Sequence, residues 1–314
     1  MTEQELITRA MARLPHLGAS AKKLSDATPR VLSCRLQPGS TRIVLRLLAG
    51  TQDLVLKYDP DATEEAFSER ATAQQFAYDR LGAGMVPALL SVDVKGRSAL
   101  QHHVNARPAH ELLDLAEVGL DAAPDILRRC GRWLGAYHNA TLQPARKINP
   151  DRMLNWAKSL QNKVETRAPD VPRRDLFLTC AAQIPAMGDR ARGQPTRIAA
   201  SHGDMHLRNL LLGPDGCFGI DFEPLAKVPP AHDLARFLLR YGTWFDFGPE
   251  PLAAFWDGYG TPRDTDAALG YLLPILLLED WLSIPKRKED RSPKQQRRLR
   301  GILRMAAEVF VVRD

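Results

Sequence analysis

The stretch Ser201-His202-Gly203-Asp204-Met205-His206-Leu207-Arg208-Asn209, followed downstream by Ile220-Asp221-Phe222-Glu223, constrains this chain more than any other. Between the two lie an apolar run, Leu210 to Leu212, and the sequence Gly213-Pro214-Asp215-Gly216. An apolar run beside a Gly/Pro/Asp turn predicts strand, hairpin turn, strand. Such a hairpin holds Asn209 and Asp221 at neighbouring ends of paired strands. An amide oxygen and a carboxylate aimed at one point suit a hard cation, and Asp204 adds a second carboxylate on the loop before them.

The spacing His-x-Asp-x-x-x-x-Asn matches the catalytic loop of protein kinases in residue type and register. His202-Gly203-Asp204 with Asn209, then Ile220-Asp221-Phe222-Glu223, then His232-Asp233-Leu234-Ala235 stand in order. On these motifs the chain resembles the aminoglycoside phosphotransferase and choline kinase family, over roughly residues 30 to 285 and most densely from 201 to 236. The resemblance implies an α+β, protein-kinase-like two-lobe fold. A small antiparallel-sheet N-lobe, residues 1–104, would bind nucleotide, and a larger, mainly helical C-lobe, residues 105–314, would carry catalysis and substrate binding. It implies ATP and Mg²⁺ as cofactors and transfer of the γ-phosphoryl group to a hydroxyl of a small molecule, an aminoglycoside, choline or other amino alcohol, or a sugar. Asp204 would take the hydroxyl proton, and Asn209 and Asp221 would hold the metal. Asp233 would brace the catalytic loop; read locally, it is a first-turn helix Asp that satisfies free N–H groups.

From Arg30 the pattern is that of strands: Val31 to Leu36, Arg42 to Leu48 and Leu54 to Lys57, separated by turns at 37–41 and 49–53, an antiparallel start. Lys57 resembles the Lys of Val-Ala-Ile-Lys that pairs the α- and β-phosphates. Its ammonium needs an acidic partner, and the helix predicted over Thr63 to Leu81 offers Glu69 first and Glu65 second. In the family the first hairpin covers the phosphates. Gly39, Ser40 and Thr41 would serve, since small residues let backbone N–H groups approach; with no full Gly-x-Gly-x-x-Gly, the local sequence alone reads as an ordinary hairpin turn. Ala88 to Val94 and Ser98 to His103 read as two more strands. By resemblance the end of the second contacts adenine through its backbone, with Gln101 and His103 as candidates. Adjacent His102 and His103 point to opposite faces of a strand and do not share an ion.

Asp125 to Ala140 reads as a helix whose apolar stripe includes His138, a buried structural histidine that hydrogen-bonds backbone. Residues 141–200 are least legible, with helices over Asp151 to Thr166 and Arg174 to Met187. The stretch from Trp244 to Tyr259, including Asp246 and Phe247, is aromatic and acidic, and Leu278-Glu279-Asp280-Trp281 follows on an apolar helix. Relatives with cationic substrates line their pockets with acids and rings, which attract ammonium groups, so Asp280 and Trp281 are substrate candidates. The alternative is that Trp residues fill the helical core and the acids face water.

With 314 residues, 44% of them apolar, the chain can bury a core large enough for two lobes. Its net charge of +6 weighs against a polycationic acceptor. No aromatic residues interleave a basic stripe, so nucleic acid is not an expected partner; the excess at Lys286–Lys288 and Lys294–Arg300 reads as a solvated helix face. Arg208, beside the metal amide, is read as a phosphate contact or a wall of the acceptor pocket. Cys34, Cys130, Cys180 and Cys217 are scattered, which favours a reducing, cytoplasmic setting. No apolar run spans a bilayer, so no membrane is expected; oligomeric state stays open. Two other readings compete with a small-molecule kinase. One is a metal-dependent hydrolase using His202, Asp204 and His206 on one strand face, which leaves Lys57, Asn209 and Asp221 unexplained. The other is a catalytically inactive kinase-like binding module, suggested by Glu223 where protein kinases have Gly.

Overall fold

The computed structural model describes residues 1–18, 21, 24, 27–167, 171–245, 249–260 and 266–311. The chain forms two compact units, one of residues 1–107 with 210–225 and one of 108–209 with 226–314. The central hairpin thus groups with the front of the chain.

The first unit is built on a five-stranded antiparallel sheet. Its strands lie in the order Pro29–Gln37, Ser40–Ala49, Gln52–Tyr58, Ser98–His102, Leu89–Asp93. Side-chain alternation sorts the sheet into two faces. Ile43, Leu45 and Leu47 of the second strand and Leu54, Leu56 and Tyr58 of the third are buried, and they pack with Leu6, Ala10, Leu14 and Leu17 from the N-terminal helical segment. The intervening Arg42, Val44, Val55 and Lys57 therefore belong to the other face, where Val44 pairs with Lys57 and Lys57 with Ala99. The Glu64–Leu81 helix begins at Thr63, whose hydroxyl oxygen accepts from Ala66 N–H at 3.1 Å, an N-cap. The predicted hairpin is present. Leu210–Gly213 pairs with Gly216–Gly219, with Leu210 opposite Gly219.

The second unit is mainly helical, with a three-stranded antiparallel sheet in the order Ala226–Val228, Pro195–Ser201, Gln143–Lys147. The last two of these strands lie in or beside the least legible part of the sequence, and the central one ends at Ser201, where the His202-Gly203-Asp204 stretch begins. The helix expected over Arg174 to Met187 is two helices, Arg174–Ala181 and Ile184–Ala191, with Pro185 in the first turn of the second. Proline lacks the N–H that a continuous helix needs there. Among the described residues no helix is long and apolar enough to cross a membrane.

The Ala123–Ala140 helix packs closely on Pro249–Tyr259, and glycines make this possible. A Cβ on Gly131 would drive into the Phe255 carbonyl, and one on Gly135 into that of Tyr259. Gly131→Ala should therefore cost about 1–3 kcal/mol through overpacking, despite the helix propensity gained. Gly270→Ala, on a helix with nothing within 4 Å of the added carbon, should be neutral or stabilise by up to about 1 kcal/mol. Urea unfolding of the two variants gives the comparison directly.

Candidate active site

In the first unit, alternation delivers Lys57 to the sheet face away from the core, and the chain beyond the hairpin delivers Asp221 to it. The Lys57 ammonium lies 2.7 Å from Asp221 Oδ1, and Arg42 lies 3.7 Å from Oδ2. Asp221 holds a left-handed backbone, φ +58°, a conformation that costs a non-glycine residue energy and clusters at functional positions. Lys57, Arg42 and Asp221 line one cavity with Phe67, Arg70, Ala71 and Gln74 of the Glu64–Leu81 helix. These four recur at the spacing of one helix face.

That helical phase corrects one expectation. Glu69 is exposed and lies off the face, so the partner of Lys57 is Asp221. The helix presents Arg70 instead, tied to Asp59 at 2.8 Å. The adenine candidates are also differently placed. Gln101 is buried mid-sheet between Val55 and Leu89, and its side chain accepts from Gln74 at 3.0 Å. The His103 N–H donates to the Asp53 carbonyl at 3.0 Å, and its ring meets the Asp53 carboxylate at 3.0 Å. Burial, the largest influence, lowers the pKa of His103 despite that carboxylate. Neither residue lines the cavity, where Ala99 and Leu89 stand instead. Gly39, Ser40 and Thr41 form the expected tight turn, with Gly39 at φ +75°, but they too lie outside the cavity lining. The Thr41 N–H already donates to Asp61 at 2.8 Å, and hydrogen bonds from Thr41 hold the Asp61 carboxyl below its usual range.

In the second unit, Asp233 organises the loop after Ser201. It sits in the first turn of the Ala231–Trp244 helix and is 1% exposed. Its carboxylate accepts from Ser201 Oγ at 2.8 Å, His202 N–H at 2.8 Å and Gly203 N–H at 3.2 Å, and meets His138 Nε2 at 3.2 Å. Gly203 turns at φ +85°, open to glycine and strained for other residues. His138 is buried as expected, but it bonds side chains: its other ring nitrogen meets Tyr259 OH at 2.9 Å. Burial alone would raise the Asp233 pKa; hydrogen bonding and charge from His138, with His202, outweigh it and hold the group at about 2.

The braced loop presents Asp204. The Arg208 N–H donates to His206 Nδ1 at 3.2 Å, which leaves the proton of a neutral ring on Nε2, 3.3 Å from Asp204 Oδ2. Asn209 is buried, and its amide nitrogen donates to the Asp204 carbonyl at 2.8 Å and to Asp204 Oδ2 at 3.4 Å. With its amide nitrogen donating to Asp204, Asn209 has its side-chain oxygen as the remaining acceptor. The His206 hydrogen bond, first among several influences, lowers the Asp204 pKa, so Asp204 is ionised at neutral pH. His202, by contrast, has no exposure and packs edge-on to Trp133 at 6.1 Å. It shares no open face with Asp204 and His206, and among the described residues no His/Cys/Asp/Glu group of three or more is placed to hold a metal.

The acceptor candidates are reassigned. Trp281 has no exposure, and its indole N–H donates to the Pro172 carbonyl at 2.8 Å, so it fills the core. Asp280 is buried against Arg240 at 3.1 Å and Arg298 at 2.7 Å. Asp246 and Phe247 lie outside the described residues. Arg298, in the Lys294–Arg300 stretch read as a solvated helix face, instead turns onto Asp280; Arg70 and Arg240 belong to no sequence motif, and Arg42 is signalled only by alternation, which places it on the same sheet face as Lys57.

A sequence model of the phosphotransferase enzyme family matches residues 36–271. No curated protein matches the chain in sequence. Solved structures do match in fold. A choline/ethanolamine kinase family protein from Mesorhizobium loti is 16% identical, with a TM-score of 0.63 over 98% of this chain and 95% of that one. A glucosamine kinase bound to glucosamine, ADP and phosphate is 15% identical, TM-score 0.57, over 90% and 80%. A spectinomycin phosphotransferase with ADP and spectinomycin is 15% identical, TM-score 0.50, over 91% of each.

The depressed Asp233 pKa has a measurable consequence. The group titrates near 3.8 when unfolded and near 2 when folded. Its contribution to stability is thus complete above about pH 4 and is lost as pH falls through about 2. Asp233→Asn should cost about 3 kcal/mol at pH 7, as removal of one partner from a buried pair does, and should flatten the acid limb of stability against pH. Urea unfolding from pH 2 to 7 checks both.

Proposed function

The chain belongs to the phosphotransferase enzyme family, and we propose that it moves the γ-phosphoryl group of ATP, with Mg²⁺, to a hydroxyl of a small molecule. The observation that carries this reading is the Lys57–Asp221 pair, which joins positions 164 apart in sequence at 2.7 Å. These are the two groups that nucleotide phosphates and their metal would claim. In the reaction the bond from the γ-phosphorus to the oxygen of the departing ADP breaks. A bond from the acceptor oxygen to that phosphorus forms, and the hydroxyl proton passes to Asp204.

Each residue has a part. Lys57, with Arg42 beside it, neutralises phosphate oxygens. The Asn209 carbonyl oxygen and the Asp221 carboxylate would hold Mg²⁺, since both are the hard oxygen donors it takes. The bound ion supplies positive charge against the phosphate oxygens. Asp204, whose pKa the His206 hydrogen bond lowers, orients the hydroxyl and receives its proton. A carboxylate this acidic is a weak base, which suits a loose transition state in which positioning and electrostatics outweigh basicity. The four cysteines are free, which supports a reducing, cytoplasmic setting as part of the same reading.

Asp204→Asn should fold and bind ATP as the wild type does, and lose about 10²- to 10⁴-fold in turnover, the range for a general base. An ADP-release assay over hydroxylated small molecules, with calorimetric titration of ATP on both proteins, measures this. Near-normal turnover in the variant would remove Asp204 from its role.

A further inference from the structure

A cavity of about 240 Å³ in the second unit is walled by His110, His206, Arg208, Arg240, Trp244 and Arg298. It adjoins the catalytic carboxylate, because His206 both lines it and reaches Asp204 at 3.3 Å. Its charge is opposite to what an ammonium group needs. Asp280, with 4% of its side chain exposed, lies behind Arg240 and Arg298 and binds both. One carboxylate between two guanidinium groups leaves a positive charge unbalanced. Arg208 adds another: it is exposed and, among the described residues, makes no ion pair. His110, whose pKa burial lowers, adds no cation at neutral pH and leaves the exposed carboxylate of Asp114 3.6 Å behind it, outside the wall; Arg297, against the Trp244 ring, is balanced by Glu117. No carboxylate is among the described residues that form the wall.

The geometry points to an acceptor that carries an oxyanion, a carboxylate or a phosphate, held by Arg208, Arg240 and Arg298, an inference that rests on the phosphotransferase reading for the hydroxyl end at Asp204. Guanidinium groups only donate, and their planar forks match carboxylate and phosphate oxygens. Asp280 fixes two of these forks from behind, so they lose less freedom when a ligand arrives. An ammonium in this cavity would give up water beside like charges. The ring of Trp244 supplies an apolar wall for the ligand's carbon frame.

Calorimetric titration of the full chain with inorganic phosphate and with glycerate, against choline and glucosamine, tests the inference. Phosphate or glycerate should bind, and the stronger of the two identifies which oxyanion the cavity prefers. Arg208→Gln and Arg240→Gln should each weaken that binding about tenfold, the size of a lost charge-assisted hydrogen bond. Lys163→Met, which removes an exposed cation that lines neither cavity, should leave it unchanged. Arg208 makes no ion pair among the described residues, so its variant should fold even if Arg240→Gln does not. Absence of anion binding, preference for choline or glucosamine, or loss in Lys163→Met with retention in Arg208→Gln would each overturn the inference. ADP release separates it from the reading beneath. Asp204-dependent transfer to cationic acceptors without anion binding condemns the inference alone. Intact anion binding without transfer to any acceptor condemns the phosphotransferase reading.

Discussion

The site in the second unit depends on one buried carboxylate. Asp233 meets no water, yet it stays ionised because a serine hydroxyl, two backbone N–H groups and a histidine converge on it. A charge buried this way is costly unless every lone pair is used, so the network tolerates little rearrangement. What it fixes is the path of the chain from Ser201 to Gly203, and thereby where Asp204 begins. His206 and Asn209 then tie the next turn back onto Asp204. These contacts hold the loop to itself around Asp204, and the proposed reaction draws on the Asp204 carboxylate and the Asn209 side-chain oxygen.

The first unit reaches a comparable result by a simpler route. A two-residue alternation sets Lys57 and Arg42 on the sheet face opposite the packed core, and the hairpin's register leads to Asp221. Both units thus position charge with backbone geometry, and the side chains follow. The arginine cavity differs in kind. There a buried acid, Asp280, serves as a mount for two cations, so the same carboxylate that by sequence suggested a seat for an ammonium produces a surface that repels one.

Much of this was legible beforehand, for identifiable reasons. The hairpin showed in a glycine- and proline-marked turn between apolar runs, and Lys57 showed in strand alternation; both depend on local pattern. The brace by Asp233 followed only from family resemblance, since its partners lie 30 or more residues away. Glu69 was misplaced because charge type does not give helical phase; the face turned to the cavity carries Phe67, Arg70, Ala71 and Gln74. Asp280 and Trp281 lie on a helix that is apolar nearly all round, and such a helix has no polar stripe from which to read a direction. The arginines on Asp280 come from positions 240 and 298, a tertiary meeting that no local window contains.

The measurement that bears most directly on the central claim is a crystal structure of the chain with Mg²⁺ and a nonhydrolysable ATP analogue. The account predicts Lys57 against the nucleotide phosphates and a metal ion held by the Asn209 carbonyl oxygen and Asp221, the hard oxygen donors Mg²⁺ takes. A metal held instead by His206 and Asp204, or a nucleotide that leaves Lys57 and Asp221 paired to each other and touches neither, would contradict it.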